Sequence, residues 1–325
     1  MQRSALGYSN LQVSRLGLGT MMFGWRANPV VAEALMLTAL DHGVNFIDTS
    51  VSYARGACQE IIGNVFRKHG CRNRFILATK VGGISNDSDP PHFRGYSRAN
   101  IIRQCELSLR QLKTDFIDLL QLHHSSAEVD VAESLGAIDE LIGRGLVRYA
   151  GICNYSAKQM MGVLQAAQSK KLSAPISNQV CYNLIERDCE KEVFPSARTE
   201  DIGIITWGPL SGGLLSDWYF KSQFLKPASR LDTGRERDQK LNLLHSNEVR
   251  QVLNKLGLLA EKQKTSVQRL ALSWVLSKES ISCVLLGPNT TAQFKELLAV
   301  NIEEISDHAD VINQELQRFV DSTSL

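Results

Sequence analysis

The sequence lacks any apolar run long enough to cross a membrane. None of its stretches reaches the roughly 18 consecutive apolar residues that a spanning helix needs. The N-terminal segment MQRSALGYSNLQVSRLGLGT also has no continuous apolar core of the kind that secretory signal peptides carry. These absences predict a cytoplasmic protein without a membrane partner.

Neither sign of charge predominates. The chain has 36 basic and 34 acidic residues, a formal net charge of +2, and only short basic clusters such as Arg235, Arg237 and Lys240. Nucleic-acid-binding domains concentrate basic residues on one face, so no nucleic-acid partner is expected. Hydrophobic residues make up 43% of the chain and charged residues 22%, which is typical of a folded globular protein.

Cysteine is present, but not in the patterns that form disulfide frameworks or metal sites. The seven cysteines are an odd number and contain no CxxC pair. They lie at positions 58, 71, 105, 153, 181, 189 and 283. We therefore expect reduced thiols and no bound metal.

Short apolar, β-rich segments alternate with segments of helical period, which predicts parallel strands joined by helices. Eight predicted strands lie at 16–19, 44–47, 75–79, 116–122, 147–152, 176–180, 202–206 and 282–286. Eight is the number that closes a (β/α)8 barrel, and barrels of this length commonly form one domain, here residues 1–325. The turn-forming residues from Gly7 to Asn10 predict an N-terminal hairpin.

The predicted helices lie between these strands. They span 30–42, 58–69, 98–112, 131–144, 156–170, 188–199, 247–263, 266–278 and 290–299, with Ser97 and Ser156 as N-caps. Two polar segments, 82–96 and 211–243, interrupt the rhythm and are predicted to be functional loops. The tail from about residue 301 is predicted to be helical and to pack outside the barrel.

Six of the predicted strands end in a polar or aromatic residue that a core strand does not need. These residues are Asp48, Lys80, His123, Asn154, Gln179 and Trp207. In a parallel barrel the carboxyl ends of the strands share one face, which is where barrel enzymes place their chemistry. Any one of them alone is explained by the start of a surface loop, but six together favour a site.

Four residues near this face form a chemically coherent set. Tyr53 is a poor acid and a poor base at neutral pH, but a nearby ammonium such as Lys80 stabilises the phenolate and lowers the pKa. A buried lysine needs a counter-charge, which Asp48 supplies. His123 is placed to donate a hydrogen bond to a substrate oxygen. Taken singly, Tyr53 reads as a half-buried loop tyrosine and His123 as a core or loop histidine.

The chain resembles the aldo-keto reductase superfamily over residues 1 to about 300. The resemblance lies in GLGTMMFG (17–24), NFIDTSVSY (45–53), LATKVG (77–82), DLLQLH (118–123), GICNYS (151–156), NQVCYNLIER (178–187), WGPLSGGLL (207–215) and LLGPNTTAQF (285–294). It implies a barrel that transfers hydride between a nicotinamide cofactor and a carbonyl or alcohol. It also implies that Asp48, Tyr53, Lys80 and His123 are the catalytic tetrad.

The resemblance implies a cofactor site without the GxGxxG fingerprint, and the sequence contains no such motif between a strand and a helix. Cys153, Asn154 and Gln179 are expected to hold the nicotinamide carboxamide, and Trp207 to stack on the ring. The backbone of Gly208, Pro209, Leu210, Ser211 and Gly212 is expected to approach the pyrophosphate. Further residues assigned to the cofactor are Thr20, Met21, Asp48, Arg230, Gly287, Asn289, Gln293 and Glu296.

The adenosine end departs from many relatives, which carry a Lys or Arg soon after the last strand that clamps the 2′-phosphate of NADP. Here Gly287, Asn289 and Gln293 are uncharged. Arg230 resembles an arginine that reaches this region in relatives with a long seventh loop, although a solvated arginine explains it equally well. The expected cofactor is NADP, with NAD as the alternative.

The substrate is expected to be a small aldehyde, ketone, sugar or alcohol, contacted by Trp25, Tyr53, His123 and His124. Two other functions remain open. The C-terminal motifs also resemble potassium-channel β subunits, which bind the cofactor, but those subunits carry Asn where this chain has His123. A barrel isomerase or lyase acting on phosphorylated substrates is disfavoured, because its chemistry does not need the Asp48, Tyr53 and Lys80 combination. The sequence leaves the oligomeric state open.

Overall fold

A computed structural model describes residues 1–82, 95–126, 129–227, 229–233, 237–300, 309–310 and 312–313. Contacts divide the chain into two compact units. The first contains Met1–Val180, Asp188–Trp207 and Ser280–Lys295, and the second contains Cys181–Arg187, Gly208–Glu279 and Glu296–Leu325. The assignment of residues 1–325 to one domain stays a prediction.

The first unit is built on a closed eight-stranded barrel, as predicted. Its strands, in chain order, are β3 (Leu16–Gly19), β4 (Phe46–Asp48), β5 (Ile76–Val81), β6 (Ile117–Leu122), β7 (Val147–Cys153), β8 (Ser177–Cys181), β9 (Gly203–Trp207) and β10 (Ile281–Leu286). They follow one another around the barrel, and β10 closes it by pairing in parallel with both β3 and β9. A two-stranded antiparallel hairpin, β1 (Arg3–Ala5) and β2 (Gln12–Ser14), precedes the barrel. The eight predicted strands and the hairpin are therefore confirmed.

The helices between these strands also follow the prediction. They are α1 (Pro29–Asp41), α2 (Ala57–His69), α3 (Arg98–Leu112), α4 (Val131–Gly143), α5 (Ala157–Lys170) and α6 (Val193–Thr199), with α12 (Thr291–Leu298) after β10. Both predicted N-caps are confirmed: the Ser97 side chain accepts from the Asn100 backbone N–H, and Ser156 forms a capping box with Gln159. The predicted helix 188–199 is shorter, because a separate turn occupies Asp188–Glu190.

An apolar cluster fills the amino-terminal part of the barrel. Its buried members are Leu6, Val13, Phe46, Ala78, Leu119, Ile176, Ile205, Cys283 and Leu285. The hairpin supplies Val13, and its turn packs closely on the barrel: a Cβ on Gly7, which has a φ of 56°, would lie 2.3 Å from the Ile176 carbonyl oxygen. Only glycine fits there. This end of the barrel is therefore closed by packing, so polar chemistry belongs to the other end.

The second unit is mainly helical. Its helices are α7 (Asp217–Lys221), α8 (Arg230–Thr233), α9 (Arg237–His245), α10 (Asn247–Lys262) and α11 (Val267–Leu276). The predicted helices 247–263 and 266–278 are confirmed as α10 and α11. The prediction of a loop over 211–243 is wrong for much of its length. Tertiary contacts explain part of the difference: the Asp217 side chain at the start of α7 accepts from the Val267 backbone N–H at 2.9 Å.

Other predicted features lie outside the described residues. They include positions 83–94 of the predicted 82–96 loop and most of the tail, although Ala309, Asp310, Ile312 and Asn313 are helical. In the part of the chain that the structure describes, none of the helices has the length and apolar character needed to span a membrane.

Candidate active site

The six polar residues predicted from the strand ends lie at one end of the barrel. Asp48 and Trp207 are the last residues of β4 and β9, and Lys80 is the penultimate residue of β5. Gln179 is the middle residue of β8. His123 and Asn154 directly follow β6 and β7. All six belong to the first unit, so the parallel strands bring them to a common face.

Lys80 is at the centre of this face. Its side chain is 1% exposed, and its ammonium forms an ion pair with Asp48 Oδ1. The ammonium also donates to the Thr49 carbonyl oxygen at 3.2 Å and to the Tyr53 hydroxyl oxygen at 3.3 Å. Because the Tyr53 oxygen accepts this bond, its own proton remains available to another acceptor.

The second oxygen of Asp48 is held by two amides. Gln179 Nε2 donates to Asp48 Oδ2 at 2.9 Å, and Gln121 Nε2 donates to the same oxygen at 3.0 Å. The sequence analysis did not assign Gln121 to the site. The available signal was a lone amide inside the otherwise apolar LLQL segment of β6.

Tyr53 is presented by an unusual backbone turn. Ala54 and Arg55 have φ values of 47° and 55°, and Gly56 has a φ of 94°. Two successive non-glycine residues in the left-handed region cost about 1 to 2 kcal/mol each, so the surrounding structure must impose the turn. The Tyr53 backbone N–H donates to the Ser50 carbonyl oxygen at 3.1 Å and fixes the start of the turn.

The pKa of Tyr53 differs from the expectation. Burial of its hydroxyl raises the pKa to about 12, although the Lys80 charge lowers it as predicted. The prediction of a net lowering is therefore wrong, because desolvation of the phenolate outweighs the attraction of one ammonium. Burial lowers the pKa of Lys80, but the stronger combined effect of Asp48 and its other neighbours raises it above the usual value. At neutral pH the site contains a protonated tyrosine and a charged lysine.

His123 is neutral in this environment. Burial, the Lys80 charge and the neighbouring His124 lower the pKa of His123 to about 3. Its ring meets the Tyr53 ring edge to face with 6.2 Å between centroids, and it stacks on the His124 ring at 4.6 Å. A neutral imidazole still has one N–H, so His123 can donate a hydrogen bond but carries no charge to the site.

Trp207, Asn154 and His124 form a hydrogen-bonded chain. The Trp207 indole N–H only donates, and it reaches Asn154 Oδ1 at 2.9 Å. The Asn154 amide nitrogen therefore faces the His123 carbonyl oxygen at 3.1 Å and His124 Nδ1 at 3.2 Å. When His124 Nδ1 accepts from that nitrogen, the neutral ring carries its proton on Nε2.

Four further predicted residues also belong to the first unit. The Thr20 hydroxyl donates to the Asp48 carbonyl oxygen at 2.9 Å, and Met21 follows Thr20 in the chain. Trp25 is 49% exposed, and the Arg26 guanidinium lies over it, 5.0 Å from the centre of the Trp25 ring. Cys153 donates weakly to Gln179 Oε1 at 3.8 Å.

The predicted adenosine-end residues of the first unit interact with one another. The Asn289 backbone N–H donates to Gln293 Oε1 at 3.0 Å, and the Gln293 N–H donates to Thr290 Oγ1 at 3.2 Å. Gly287 is exposed. Asn289 Oδ1 is buried and has no hydrogen-bond partner among the described residues. It is a free acceptor beside an exposed backbone.

The remaining predicted cofactor residues lie in the second unit. In the segment of Gly208, Pro209, Leu210, Ser211 and Gly212, φ is 68° at Gly208, 47° at Ser211 and 70° at Gly212. Two residues that the sequence analysis missed hold this segment, and both come from the preceding NLIER motif: Asn183 Nδ2 donates to the Gly208 carbonyl oxygen at 3.0 Å, and Ser211 Oγ donates to Glu186 Oε2 at 3.0 Å.

Glu296 and Arg230 are also in the second unit. Glu296 Oε1 accepts from Gln268 Nε2 at 2.6 Å and from Ser266 Oγ at 3.2 Å. Arg230 is the first residue of α8, and its side chain lies outside the described part. The cofactor roles of these second-unit residues stay predictions. Among the described residues of the chain, no three His, Cys, Asp or Glu side chains converge as metal ligands would.

Comparisons with known proteins identify the family. The Aldo/keto reductase family model matches residues 15–311. The chain is 32% identical over 305 residues to the uncharacterized oxidoreductase YrpG of Bacillus subtilis strain 168, covering 92% of this chain and 90% of that protein. It is also 32% identical over 304 residues to a probable voltage-gated potassium channel subunit beta of Arabidopsis thaliana, covering 91% and 90% respectively. This chain therefore belongs to the aldo/keto reductase family.

Proposed function

We propose that the chain is an oxidoreductase that uses a nicotinamide cofactor to interconvert a small carbonyl compound and its alcohol, with Tyr53 as general acid and base. The observation that carries this proposal is the Tyr53 hydroxyl, 3.3 Å from the buried Lys80 ammonium. Asp48 compensates the lysine charge. Family membership and the relative named as an oxidoreductase support the same function.

The residues fit a nicotinamide. Among the described residues, Asn154 Oδ1 accepts from Trp207, and Gln179 Oε1 accepts from the weak Cys153 thiol donor. Each amide oxygen therefore keeps acceptor capacity for the N–H groups of a carboxamide, and the two residues lie on neighbouring strands, joined by the hydrogen bond from the Asn154 backbone N–H to the Gln179 carbonyl oxygen at 2.8 Å. When bound, the cofactor supplies or accepts hydride at C4 of its nicotinamide ring.

Tyr53 handles the proton. As the carbonyl carbon is reduced, the Tyr53 O–H bond breaks, an alcohol O–H bond forms, and the resulting phenolate is stabilised by Lys80. In the oxidative direction the phenolate takes the proton back. A pKa raised to about 12 keeps Tyr53 protonated at neutral pH, so the proton that reduction needs is present, whereas oxidation needs the phenolate.

His123 orients the substrate oxygen through its neutral N–H, and His124 presents Nε2–H from the adjacent stacked ring. Trp25 is a half-exposed aromatic wall for the substrate. The substrate class is aldehydes, ketones or sugars and the matching alcohols, and the location is cytoplasmic.

NADP is the proposed cofactor, with NAD as the alternative. NADP differs from NAD by one phosphate, and an arginine is suited to bind a phosphate. In this proposal Arg230 is the residue that binds it and so decides between the two cofactors. A thermal-shift comparison of the two cofactors tests this. A larger shift with NADP that disappears in Arg230→Ala supports the assignment, whereas equal shifts contradict it.

The central test is turnover. Purified protein is mixed with NADPH or NADH and a broad aldehyde such as 4-nitrobenzaldehyde, and cofactor oxidation is followed. Turnover that is lost in Tyr53→Phe supports the proposal. A protein that binds the cofactor but does not turn over favours a regulatory binding subunit, the function suggested by the potassium-channel relative.

A further inference from the structure

Gln121 is an amide in the interior of the barrel with no assigned role. It lies in β6, is 0% exposed, and is flanked by the buried Leu120 and Leu122. Burying an amide costs free energy unless its hydrogen bonds are made. Gln121 makes them within the polar layer around Asp48, so its partners indicate its role.

The contacts of Gln121 form a small closed network. Its Nε2 donates to Asp48 Oδ2 at 3.0 Å, and its Oε1 accepts from Gln179 Nε2 at 3.3 Å. Gln179 Nε2 also donates to Asp48 Oδ2 at 2.9 Å. One carboxylate oxygen is thus held by two amides, which leaves Oδ1 for Lys80.

The barrel makes room for this arrangement at Gly151. A Cβ at that position would lie 3.0 Å from Gln121 Cγ and 3.0 Å from Ser177 Oγ. Ser177 is in the same layer, but its hydroxyl has no partner among the described residues. Gln121 therefore donates to Asp48, whereas the equally buried Ser177 hydroxyl makes no hydrogen bond to it among the described residues.

We propose that Gln121 is a positioning residue that fixes Asp48, and through it the Lys80 ammonium, against the Tyr53 hydroxyl. The inference rests on the proposed function for its catalytic meaning, but the contact network exists without it. A carboxylate that loses a donor attracts its remaining partner more strongly. Without Gln121, the Asp48 carboxylate therefore attracts the Lys80 ammonium more strongly. The ammonium then stabilises a Tyr53 phenolate less.

The groups that face Tyr53 come from several strands. Burial raises the pKa of Tyr53 most; Lys80 of β5 lowers it, and Asp48 of β4 and Cys153 of β7 raise it further. His123, after β6, meets the tyrosine ring and is neutral. Gln121 is uncharged, so replacing it changes no charge in this set directly. Any change in the titration of Tyr53 reaches it through Asp48 and Lys80.

The test places 3,5-difluorotyrosine at position 53 and follows its ionisation by fluorine NMR in the full chain without cofactor. This phenol is more acidic than tyrosine, so it titrates where the fold is stable. Gln121→Met keeps the volume and removes the amide. It is expected to raise the pKa of the probe by about one unit, a tenfold change in proton affinity. Ser177→Ala is the matched control and is expected to leave the pKa unchanged.

Two results overturn the inference. One is a folded Gln121→Met protein whose probe titrates as in the unsubstituted chain, since a purely structural role would change only the unfolding temperature. The other is measured without a Gln121 variant. The side-chain amide resonance of Gln121 is expected to shift with the same pH midpoint as the probe at position 53. A resonance that does not follow this titration contradicts the coupling between Gln121 and Tyr53.

Turnover separates this inference from the proposed function. If both hold, Gln121→Met lowers kcat about tenfold with KM unchanged, because the acid is weaker but binding is not altered. A probe that responds to Gln121 in a protein that turns over no carbonyl compound refutes the proposed function and leaves the positioning role intact.

Discussion

Asp48 and Asp118 are two buried carboxylates of the barrel unit, each 2% exposed and each paired with basic side chains. Asp118 accepts from Arg72 and Arg148, both at 2.8 Å, and from the Leu77 backbone N–H at 2.9 Å. Asp48 accepts from one lysine and two glutamines. By burial and number of hydrogen bonds the two sites are alike.

The two carboxylates differ in what their basic partners contact. Arg72 and Arg148 both lie over the Phe116 ring, at 4.3 and 4.0 Å from its centre, and Arg72 is bonded in addition to the Phe75 and Phe116 carbonyl oxygens. An arginine does not change its charge in proteins. Lys80 instead contacts a tyrosine that can ionise.

Position explains the difference in role. Asp118 is near the start of β6, on the opposite face from the interior Leu119, whereas Asp48 is the last residue of β4. We therefore expect the Asp118 carboxylate to stabilise the fold and the Asp48 carboxylate to serve the proposed chemistry.

Tyr53→Phe removes the ionisable group beyond Lys80. We expect kcat to fall about 1,000-fold or more, because the proton donor is lost, with cofactor affinity nearly unchanged. The matched control is Tyr8→Phe, whose half-exposed hydroxyl donates to the Ala174 carbonyl oxygen. Substantial residual activity in Tyr53→Phe would refute the role of this residue.

Asp118→Asn tests the structural side of the comparison. Removing this charge leaves Arg72, which is 12% exposed, without its counter-ion, so the free energy of unfolding should fall by about 3 kcal/mol. Urea unfolding measures the change, and kcat per folded molecule should stay constant. Glu33→Gln, at an exposed pair with Lys68, is the control and should change little. A large loss of kcat in Asp118→Asn would contradict the difference in role between Asp118 and Asp48.

Asp48→Asn tests the chemical side. Without its counter-charge the buried Lys80 loses its proton more readily, so Tyr53 loses the neighbouring ammonium. We expect kcat to fall about 100-fold, measured per folded molecule so that any loss of stability is separated from it. A variant that is destabilised but fully active would show that Asp48 acts as Asp118 does.

The Lys80 charge also acts on His123, which gives this site a pH dependence. The pKa of His123 is lowered to about 3 by burial first and by Lys80 second. A lowered pKa contributes stability above the unfolded value, near pH 6.5, that is lost as the pH falls toward about 3. Between about pH 7 and about pH 4.5, the wild type should lose on the order of 2 kcal/mol more than His123→Asn. Equal losses in urea unfolding would contradict the burial of this imidazole.

Much of the site was predictable because its residues end strands. Asp48, Lys80, His123 and Gln179 were identified from polar residues that interrupt or follow apolar segments. Gln121 was not, although it is the penultimate residue of β6 as Lys80 is of β5, because an amide within an apolar segment points to a site only when its partner Asp48 is known. The helices within 211–243 were missed for a related reason, since the Asp217 contact to Val267 spans 50 residues.

Local sequence patterns were enough to predict the barrel and the face on which the polar residues lie, because alternating segments and strand ends can be recognised without knowing any distant contact. Only the tertiary structure decided the protonation states. Asp48 is held by Gln121, 73 residues away, and by Gln179, 131 residues away. The pKa of Tyr53 is raised to about 12, whereas the sequence predicted that it would be lowered. Desolvation depends on every group that surrounds the hydroxyl, but sequence motifs identify only the nearest charges.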